Sequence, residues 1–299
     1  MPRAVRLSRF GGPDVLEVAQ VEEPHAPAGR VRVAVRAAGL NPYDSKLRAG
    51  AYPQMTLPRG LGSEFAGVID EVGEDVAGLA VGDEVLGWAP ACMAELVVAK
   101  ATSVAPKPAG LDWAVAGGIG LVGNTAKRAS AALSLDEHDT VLVSGVAGGV
   151  GLLSAQFALR AGAKVIGTAS NAHHEFLRGL GIVPVTYGEG LLDRLKAAAP
   201  TGITALLDNV GRESVEAALA LGVPPERINS VAYDGADLGI GTVGGGDKTS
   251  AELAELAELA ARGDLVLPIL ARFALDDVRA AYELLDTGHG LGKIVLTLP

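Results

Sequence analysis

Thr140–Gly151 reads TVLVSGVAGGVG, an apolar strand that runs straight into a glycine-rich turn, and a helical pattern begins at Leu152. In such a turn the backbone can approach a pyrophosphate closely, and the following helix N-terminus supplies unpaired N–H groups. We therefore predict a dinucleotide site here. Its predicted contacts are Ala147, Gly148, Gly149 and Val150. Val146 replaces the first glycine of the usual G-x-G-x-x-G pattern, so the loop alone also fits an ordinary strand-to-helix turn.

Strands and helices alternate on both sides of this turn, from about residue 112 to residue 232. The predicted strands are Thr140–Ser144, Lys164–Thr168, Val183–Tyr187, Ile203–Asp208 and Arg227–Ala232. The predicted helices are Leu152–Ala161, Ala172–Leu180, Leu191–Ala198 and Glu213–Leu221, followed by a surface helix at Ala251–Arg262. This alternation predicts βαβ units, and therefore a doubly wound parallel sheet with helices on both faces.

The segment before residue 112 has a different pattern. Arg30–Ala37 alternates charged and apolar residues with the period of two that is typical of a half-buried strand. Frequent glycines and prolines separate further strands, which predicts a β barrel or sandwich. The apolar strand Gly292–Leu298 is expected to rejoin it, because such a strand cannot be left unpaired. We predict an α/β protein with a β domain at 1–111, a nucleotide-binding domain at 112–263 and a return to the first domain at 264–299.

The end of the second predicted strand of the parallel sheet bears on the choice of cofactor. Sites for NAD usually place Asp or Glu about 20 residues after the glycines, where the carboxylate binds the ribose 2′-hydroxyl. Thr168–His174 contains no acidic residue, and Ser170 and Asn171 can donate hydrogen bonds to a 2′-phosphate. His174 or Arg178 can add positive charge. The alternative is that these residues are solvated and open a helix, with Asn171 as its N-cap. The pattern favours NADP(H).

Composition limits the classes of function. The 299 residues carry 25 Lys and Arg against 35 Asp and Glu, a net charge of −10, which argues against binding to nucleic acid or to an anionic membrane surface. A single cysteine, Cys92, excludes an intramolecular disulfide and a four-thiolate zinc site. Neither a signal peptide nor an apolar run of about 18 residues is visible. These features predict a cytoplasmic protein that binds neither nucleic acid nor a membrane.

Further blocks of the sequence resemble one family along the whole chain. Gly39–Tyr52 (GLNPYDSKLRAGAY) is similar to the signature G-x-N-P-x-D-x-x-x-R-x-G-x-Y. Later blocks follow in order: Gly60–Gly67 (GLGSEFAG), Val81–Val85 (VGDEV), Gly148–Gly151 (GGVG), Asp208–Gly211 (DNVG) and Gly288–Val295 (GHGLGKIV). The chain resembles the zinc-independent quinone oxidoreductases of the medium-chain dehydrogenase/reductase superfamily. The resemblance implies a GroES-like β-barrel domain built from both chain ends, a Rossmann domain between them, and a homodimer.

The same resemblance bears on the metal and the chemistry. Zinc-dependent relatives place Cys near position 41 and His near position 63, where this chain has Asn41 and Ser63, so no metal site is expected. Without a metal to polarise a simple ketone, a conjugated acceptor is favoured, because it spreads incoming charge over its own π system. The predicted reaction is hydride transfer from NADPH to a quinone or an α,β-unsaturated carbonyl. Two alternatives stay open: an enoyl reductase of a biosynthetic pathway, and an NADPH-binding protein with little turnover, which the unusual Gly120–Lys127 run would favour.

Two residues are candidates for contact with the substrate. Asn41 can donate a hydrogen bond to the nicotinamide ribose or the substrate oxygen, although before Pro42 it can equally be a turn residue. Tyr52 can donate to a developing oxyanion, or it can be an aromatic packed at a domain edge. We expect the substrate in a cleft between the two domains, with both residues on one wall. The resemblance implies further cofactor contacts at Thr125, Tyr187, Asn209, Val210, Ala232 and Lys293.

Overall fold

The computed structural model describes residues 1–233, 235–243 and 248–299. Its strands, in chain order, are β1 (Arg3–Leu7), β2 (Leu16–Gln20), β3 (Arg30–Gly39), β4 (Arg59–Gly60), β5 (Phe65–Val72), β6 (Glu84–Gly87), β7 (Leu96–Lys100), β8 (Val104–Pro106), β9 (Thr140–Val143), β10 (Lys164–Thr168), β11 (Val183–Val185), β12 (Ala205–Asp208), β13 (Ile228–Ser230), β14 (Gly241–Thr242), β15 (Ile269–Ala274) and β16 (Lys293–Thr297). Its helices are α1 (Pro42–Arg48), α2 (Trp113–Ala132), α3 (Gly149–Arg160), α4 (His174–Gly179), α5 (Leu191–Ala198), α6 (Arg212–Ala220), α7 (Ser250–Ala261) and α8 (Val278–Asp286). Within these ranges no helix is long and apolar enough to cross a membrane.

The alternating segment forms one parallel sheet. Its strands lie in the order β11-β10-β9-β12-β13-β14, and every neighbouring pair is parallel. The chain enters at β9 in the middle, builds outward through β10 and β11, and returns to the other side of β9 with β12. The topological switch point therefore lies between β9 and β12, where open α/β sheets bind ligands outside the carboxyl ends of their strands. The predicted α/β fold class with a Rossmann-type sheet is confirmed.

The central strands of this sheet are buried on both faces. All four residues of β9 and all four of β12 are buried, so these strands show no alternation of apolar and polar positions. Leu142, Ile166 and Leu206 share one core with side chains from α5 and α6. The strongly apolar strands in the sequence are thus explained by helices that cover both faces.

The other strands form β structure that is antiparallel except for the parallel pair of β15 and β16. One sheet has the order β15-β16-β3-β5-β6-β8, with β7 also paired to β3, and a smaller sheet has the order β2-β1-β4. The alternation predicted for Arg30–Ala37 is confirmed, because Val31, Val33 and Val35 face the core while the residues that alternate with them are half-buried. Strand β3 therefore supplies one wall of the β core.

The last strand joins the chain end to this β structure. β16 lies between β15 and β3, with Val295 opposite Gly39 in an antiparallel register. It is the strand predicted at Gly292–Leu298. Because Asn41 follows β3 and Lys293 begins β16, this pairing brings two distant predicted site residues to the same place.

The chain divides into two compact units, which we call the first unit (residues 1–121 and 248–299) and the second unit (122–247). The sequence placed these boundaries at 111/112 and 263/264. The N-terminal half of α2 belongs to the first unit because it packs closely on β3 and β16: a Cβ on Gly117 would lie 2.6 Å from the Ala37 carbonyl oxygen, and one on Gly118 would lie 2.9 Å from Lys293. Helix α7, predicted as part of the nucleotide-binding domain, packs on β6 and β8.

Three helices, α1, α2 and α8, lie where the sequence predicted none. Helix α2 is 20 residues long, but its glycines and small residues obscure the helical period. Helix α1 lies within the segment predicted as strands and turns. Pro42 occupies its first position, where a missing N–H is harmless, and the Asp44 carboxylate accepts a hydrogen bond from the Asn41 N–H. Asn41 is therefore the residue that opens a helix.

Candidate active site

The glycine-rich turn between β9 and α3 presents backbone rather than side chains. Gly145 has φ +57°, a conformation that favours glycine, and a Cβ on Gly151 would lie 2.4 Å from the Gly145 carbonyl oxygen. A Cβ on Gly148 would meet nothing closer than that oxygen, at 3.5 Å, so internal packing does not require glycine there. The first N–H groups of α3 have no acceptor within the helix, so this end can hold a phosphate. Among the predicted contacts Ala147 is buried, Gly148 is exposed, and Gly149 and Val150 are half-buried.

The carboxyl end of β10 offers neutral donors. Ser170 is half-buried and precedes a short 3₁₀ turn at Asn171–His173, so Ser170 rather than Asn171 occupies the N-cap position. The exposed Asn171 accepts a hydrogen bond from Thr186 Oγ1 at 2.5 Å through its Oδ1 atom. His174 places Nε2 3.3 Å from the Ala169 carbonyl oxygen, so its ring lies against the end of the strand.

An arginine that the sequence did not predict as a site residue lies beside these residues. Arg194 of α5 donates from Nε to the Thr186 carbonyl at 2.9 Å, and from Nη2 to the Tyr187 and Gly188 carbonyls at 3.3 and 3.1 Å. These bonds fix the loop after β11, which carries the 49% exposed side chain of Tyr187. The sequence shows only an arginine on a helix, so it could not predict that Arg194 binds the loop after β11.

A buried carboxylate connects the strand ends at the switch point of the sheet. Asp208, at the end of β12, is 1% exposed. Its Oδ1 accepts from Ser144 Oγ at the end of β9 at 2.7 Å, and its Oδ2 accepts from Ser230 Oγ at the end of β13 at 2.6 Å. Oδ1 also accepts from the Val210 and Gly211 N–H groups, both at 3.1 Å. One side chain thus ties together three strand ends.

The predicted contacts for the other half of the cofactor surround this carboxylate. Asn209 donates from Nδ2 to the Ser144 carbonyl at 3.0 Å, and its backbone N–H donates to Ser144 Oγ at 2.8 Å. Val210 is 58% exposed, and the Ala232 N–H donates to Ser230 Oγ at 3.2 Å. Thr125 lies on α2. The structure therefore groups Asn209, Val210 and Ala232 at adjacent strand ends.

In the first unit, Asn41 and Lys293 meet in a buried polar cluster with Glu64. Lys293 Nζ lies 2.5 Å from Asn41 Oδ1 and 2.7 Å from Glu64 Oε1, and Asn41 Nδ2 donates to Glu64 Oε1 at 2.9 Å. Glu64 Oε2 accepts from the Leu121 N–H at 2.7 Å. The three side chains are each less than 5% exposed. Glu64 lies within the block GLGSEFAG, but the sequence did not predict it as a site residue.

Asp44 is a second carboxyl group beside this cluster. Burial raises its pKa from 3.8 to about 7, with a further upward push from Glu64 and an opposing effect of Lys293 and of the Asn41 N–H. Ser63 Oγ lies 3.4 Å from Asp44 Oδ1. The cluster therefore contains one group that can gain or lose a proton near neutral pH.

Tyr52 pairs with a second tyrosine. Its ring centroid lies 5.6 Å from that of Tyr43 at an interplanar angle of 49°. Tyr52 is half-buried and packs against the β core, whereas Tyr43 is 44% exposed. Among the described residues no hydrogen-bond partner of the Tyr52 hydroxyl is found, so the hydroxyl is available to a ligand.

The residues around Asn41 do not fit a zinc ion. Zinc sites are built from thiolates, imidazoles and carboxylates, whereas here an amide, a hydroxyl and an ammonium group accompany the carboxylates of Asp44 and Glu64. The ammonium group of Lys293 would repel a divalent cation at this position. In the part of the chain that the structure describes, no group of three or more His, Cys, Asp or Glu residues could hold a metal ion.

Comparison with known proteins gives two matches to family models. The alcohol dehydrogenase GroES-like domain matches residues 27–128, and the zinc-binding dehydrogenase family matches residues 180–296. The first match confirms the predicted GroES-like class of the β domain.

Individual relatives cover almost the whole chain. It is 31% identical to a quinone oxidoreductase of Pseudomonas aeruginosa, with 99% of both chains covered. It is 32% identical over 98% of its length to the spectinabilin polyketide synthase system protein NorB of Streptomyces orinoci, of which it spans only 14%. The Escherichia coli quinone oxidoreductase solved in complex with NADPH is 26% identical and superposes with a TM-score of 0.89, covering 99% of this chain and 100% of the other.

Proposed function

Because the chain belongs to the quinone oxidoreductase-like branch of the medium-chain dehydrogenase/reductase superfamily, we propose that it is an NADPH-dependent reductase of quinones or α,β-unsaturated carbonyl compounds that works without zinc. The observation that carries the proposal is the open backbone of Gly148 at the start of α3, next to a strand end that has no acidic residue. A phosphate and a 2′-phosphate each meet donors there rather than repelling charge.

The proposed cofactor contacts follow from the order of the strands. The backbone of Gly148–Val150 would hold the pyrophosphate, and Ser170 and Asn171 would hold the 2′-phosphate, with His174 beside them. Tyr187 would lie at the adenosine end, held in place by Arg194. The nicotinamide half would extend over the strand ends on the other side of β9, and Thr125, Asn209, Val210 and Ala232 are its proposed contacts. When bound, NADPH supplies the hydride.

The proposed substrate follows from the buried cluster of the first unit. The Lys293 ammonium group beside Asn41 and Glu64 does not fit a metal that could act as a Lewis acid, so a substrate that delocalises charge itself is favoured over a simple ketone. The Asn41 amide is held at both ends, since Nδ2 donates to Glu64 and Oδ1 accepts from Lys293. It keeps one Nδ2 hydrogen for a ligand. Lys293 is proposed to act mainly by orienting this amide, and the free hydroxyl of Tyr52 is the proposed donor to the substrate oxygen.

A second function shares the same chemistry. The relationship to a polyketide synthase protein favours an enoyl reductase acting on a biosynthetic intermediate, while the 31% identical full-length relative favours quinone reduction. Reduction of an enoyl thioester and of a quinone both need hydride and a polarised oxygen. A panel that contains both acceptor classes decides between them. A homodimer and a cytoplasmic location stay predictions.

Cofactor choice is tested by calorimetric titration with NADPH and NADH. The unmodified protein should bind NADPH at least about 10-fold more tightly, and Ser170→Asp should reverse the preference because the new carboxylate repels the 2′-phosphate. Ser170→Ala is the matched control and should leave NADH binding unchanged. Equal or tighter binding of NADH to the unmodified protein would refute the proposal.

The role of Tyr52 is tested by Tyr52→Phe, which removes only the hydroxyl. We expect kcat to fall about 10-fold or more across the acceptor panel, the scale of one lost transition-state hydrogen bond. Tyr43→Phe is the matched control, since it alters the other ring of the same pair. Unchanged kinetics in Tyr52→Phe would make Tyr52 a packing residue, and no turnover with any acceptor would favour the NADPH-binding protein with little activity.

A further inference from the structure

The buried carboxylate of Asp208 lacks a positive partner. Its hydrogen bonds come from two hydroxyl groups and two backbone N–H groups, as described above, and no Lys, Arg or His within the described residues forms an ion pair with it. A buried carboxylate is ordinarily paired with a cation, because removing a charge from water is costly. The charge of Asp208 is thus stabilised by dipoles and is not neutralised.

The hydrogen-bond partners of Asp208 are arranged as donors to both of its oxygens. Ser230 Oγ accepts from the Ala232 and Tyr233 N–H groups at 3.2 and 2.9 Å, so its own hydrogen is donated to Asp208 Oδ2. Ser144 Oγ accepts from the Asn209 N–H, and its hydrogen is donated to Asp208 Oδ1. Four hydrogens therefore point at the two carboxylate oxygens, and Ser230 Oγ has no lone pair left to accept a proton from Oδ2.

The position of this charge gives it a specific neighbour in the proposed complex. Asp208 connects β12 to β9 across the switch point, where a dinucleotide lies over the carboxyl ends of the strands. The pyrophosphate loop follows β9 and the 2′-phosphate site follows β10, so the opposite end of the cofactor extends over β12 and β13. Asp208 therefore lies beneath the nicotinamide half rather than the adenosine half.

We propose that Asp208 is an electrostatic positioning residue whose unpaired buried charge favours the oxidised, cationic form of the nicotinamide cofactor over the reduced form. This inference rests on the proposed function. Loss of hydride from NADPH leaves NADP⁺, whose ring carries one additional positive charge, and the hydride with one solvent proton completes the reduced quinone or saturated carbonyl. A fixed negative charge close to the ring lowers the free energy of the product state of the cofactor and of the transition state that leads to it.

A merely structural role makes a different prediction. The same hydrogen bonds hold the Asn209–Gly211 and Ala232 backbone, so loss of organisation alone would weaken NADP⁺ and NADPH equally. Loss of the charge would weaken only NADP⁺. A unit charge about 10 Å away in a partly buried site changes a charged equilibrium by about 10-fold, which is readily measured.

The test is the affinity of Asp208→Asn for NADP⁺, NADPH and 2′,5′-ADP, measured by calorimetry. We expect NADP⁺ binding to weaken about 10-fold relative to NADPH, and 2′,5′-ADP, which lacks the nicotinamide, to change less than about 2-fold. Ser230→Ala is the matched control, because it removes the hydroxyl with its bonds to Asp208 and to the Ala232 and Tyr233 N–H groups but keeps the charge. It should leave the ratio of the NADP⁺ and NADPH dissociation constants unchanged.

In the single variant the new amide N–H₂ can face Ser230 Oγ, whose lone pairs are already used. The double variant Asp208→Asn with Ser230→Ala removes this conflict and should show the same shift in the ratio. Equal weakening of both forms, or no change in the ratio, would overturn the inference. If these variants fail to fold, the unmodified protein decides, because NADPH binding at least 10-fold more tightly than NADP⁺ contradicts a site that favours the cation. If the unmodified protein binds neither NADPH nor 2′,5′-ADP, the proposed function itself fails.

Discussion

Lys293 is held by two acceptors from elements that are distant in the chain. Its ammonium group lies 2.7 Å from Glu64 Oε1, and both side chains are almost completely buried. Replacement by Met would leave the Glu64 carboxylate buried without its cation. Lys293→Met should therefore lower the free energy of unfolding by about 3–5 kcal/mol, measured by urea denaturation.

Lys107 supplies a matched control for that prediction. Its side chain is equally buried, at 4% exposure, but its partner Glu84 is 50% exposed and can be hydrated when the pair is broken. Lys107→Met should lower the free energy of unfolding by only about 1 kcal/mol, including the loss of the cation–π contact with Trp113. If the two variants lose similar amounts of unfolding free energy, the greater burial of Glu64 does not make the loss of its cation more costly, and the prediction is wrong.

Asp44 should make stability depend on pH in the direction opposite to that of an ordinary ion-paired carboxylate. Because burial raises its pKa from 3.8 to about 7, folding favours the protonated form. The stabilisation is complete below about pH 4 and is lost as the pH rises through about 7. The free energy of unfolding of the unmodified protein, relative to Asp44→Asn, should fall by at least about 2 kcal/mol between pH 5 and pH 8, since each pKa unit corresponds to about 1.4 kcal/mol.

Asp139→Asn is the control for this pH dependence. Burial acts to raise the pKa of Asp139, but hydrogen bonds from Thr204 and Arg227 lower it overall. Its contribution to stability is therefore present above about pH 4 and lost only as the pH falls further, so its effect should be constant between pH 5 and pH 8. If the difference in the free energy of unfolding between the unmodified protein and Asp44→Asn stays constant from pH 5 to pH 8, Asp44 is ionised over this whole range, and the prediction is wrong.

The sequence predicted some residues of the candidate site but not others, because several of the contacts exist only in the folded chain. Asn41 and Lys293 were predicted from sequence blocks, but that they bind each other through Glu64 depends on the pairing of β16 with β3. Arg194 was missed because its role is to hold carbonyl groups of a loop that lies next to α5 only in the folded chain. Asp208 was recognised within a block, but its lack of a cation is a property of its buried surroundings.

At the scale of the element, the turn from β9 into α3 separates glycines needed for packing from those needed for a ligand. A Cβ on Gly148 meets only ordinary van der Waals contact within the protein. Gly148→Ala should change the free energy of unfolding by less than about 1 kcal/mol and weaken NADPH binding at least about 10-fold, because the methyl group occupies the proposed path of the pyrophosphate.

Gly151→Ala should give the opposite result in the same two assays, with a clear loss of stability and a smaller effect on NADPH binding. Its methyl group would lie 2.4 Å from the Gly145 carbonyl oxygen, so the helix must move away from the strand end. We expect a loss of about 1–3 kcal/mol in the free energy of unfolding, as for other overpacked sites. If Gly148→Ala leaves NADPH binding unchanged, the proposal that the pyrophosphate binds at this turn is wrong.

At the scale of the whole molecule, periodicity predicted the sheets better than the boundaries of the units. Continuous apolar strands separated by helices were enough to predict the parallel sheet of the second unit, and alternation in Arg30–Ala37 was enough for β3. The unit boundaries depend instead on which surface α2 and α7 pack against. Gly117 and Gly118 allow α2 to lie directly on β3 and β16, a contact that hydropathy patterns do not encode.

The chain has few side chains of the kind that bind zinc most tightly. The five histidines are dispersed: His25 and His138 have side chains more than three-quarters exposed, and the only cysteine, Cys92, is buried with its thiol donating to the Glu64 carbonyl. Burial raises the pKa of that thiol well above its usual value, so it disfavours the thiolate that zinc requires. We expect the purified protein to contain much less than one zinc per chain by elemental analysis.

Activity should also survive removal of metal ions. Reduction of the quinone or enone that the panel identifies should be unchanged after dialysis against a strong chelator, because the position that a Lewis acid would take beside Asn41 is filled by the Lys293 ammonium group. A zinc-dependent alcohol dehydrogenase treated in parallel controls for the effectiveness of the chelator. Stoichiometric zinc, with activity that is lost on chelation and restored by added zinc, would show that the proposed zinc-free chemistry is wrong.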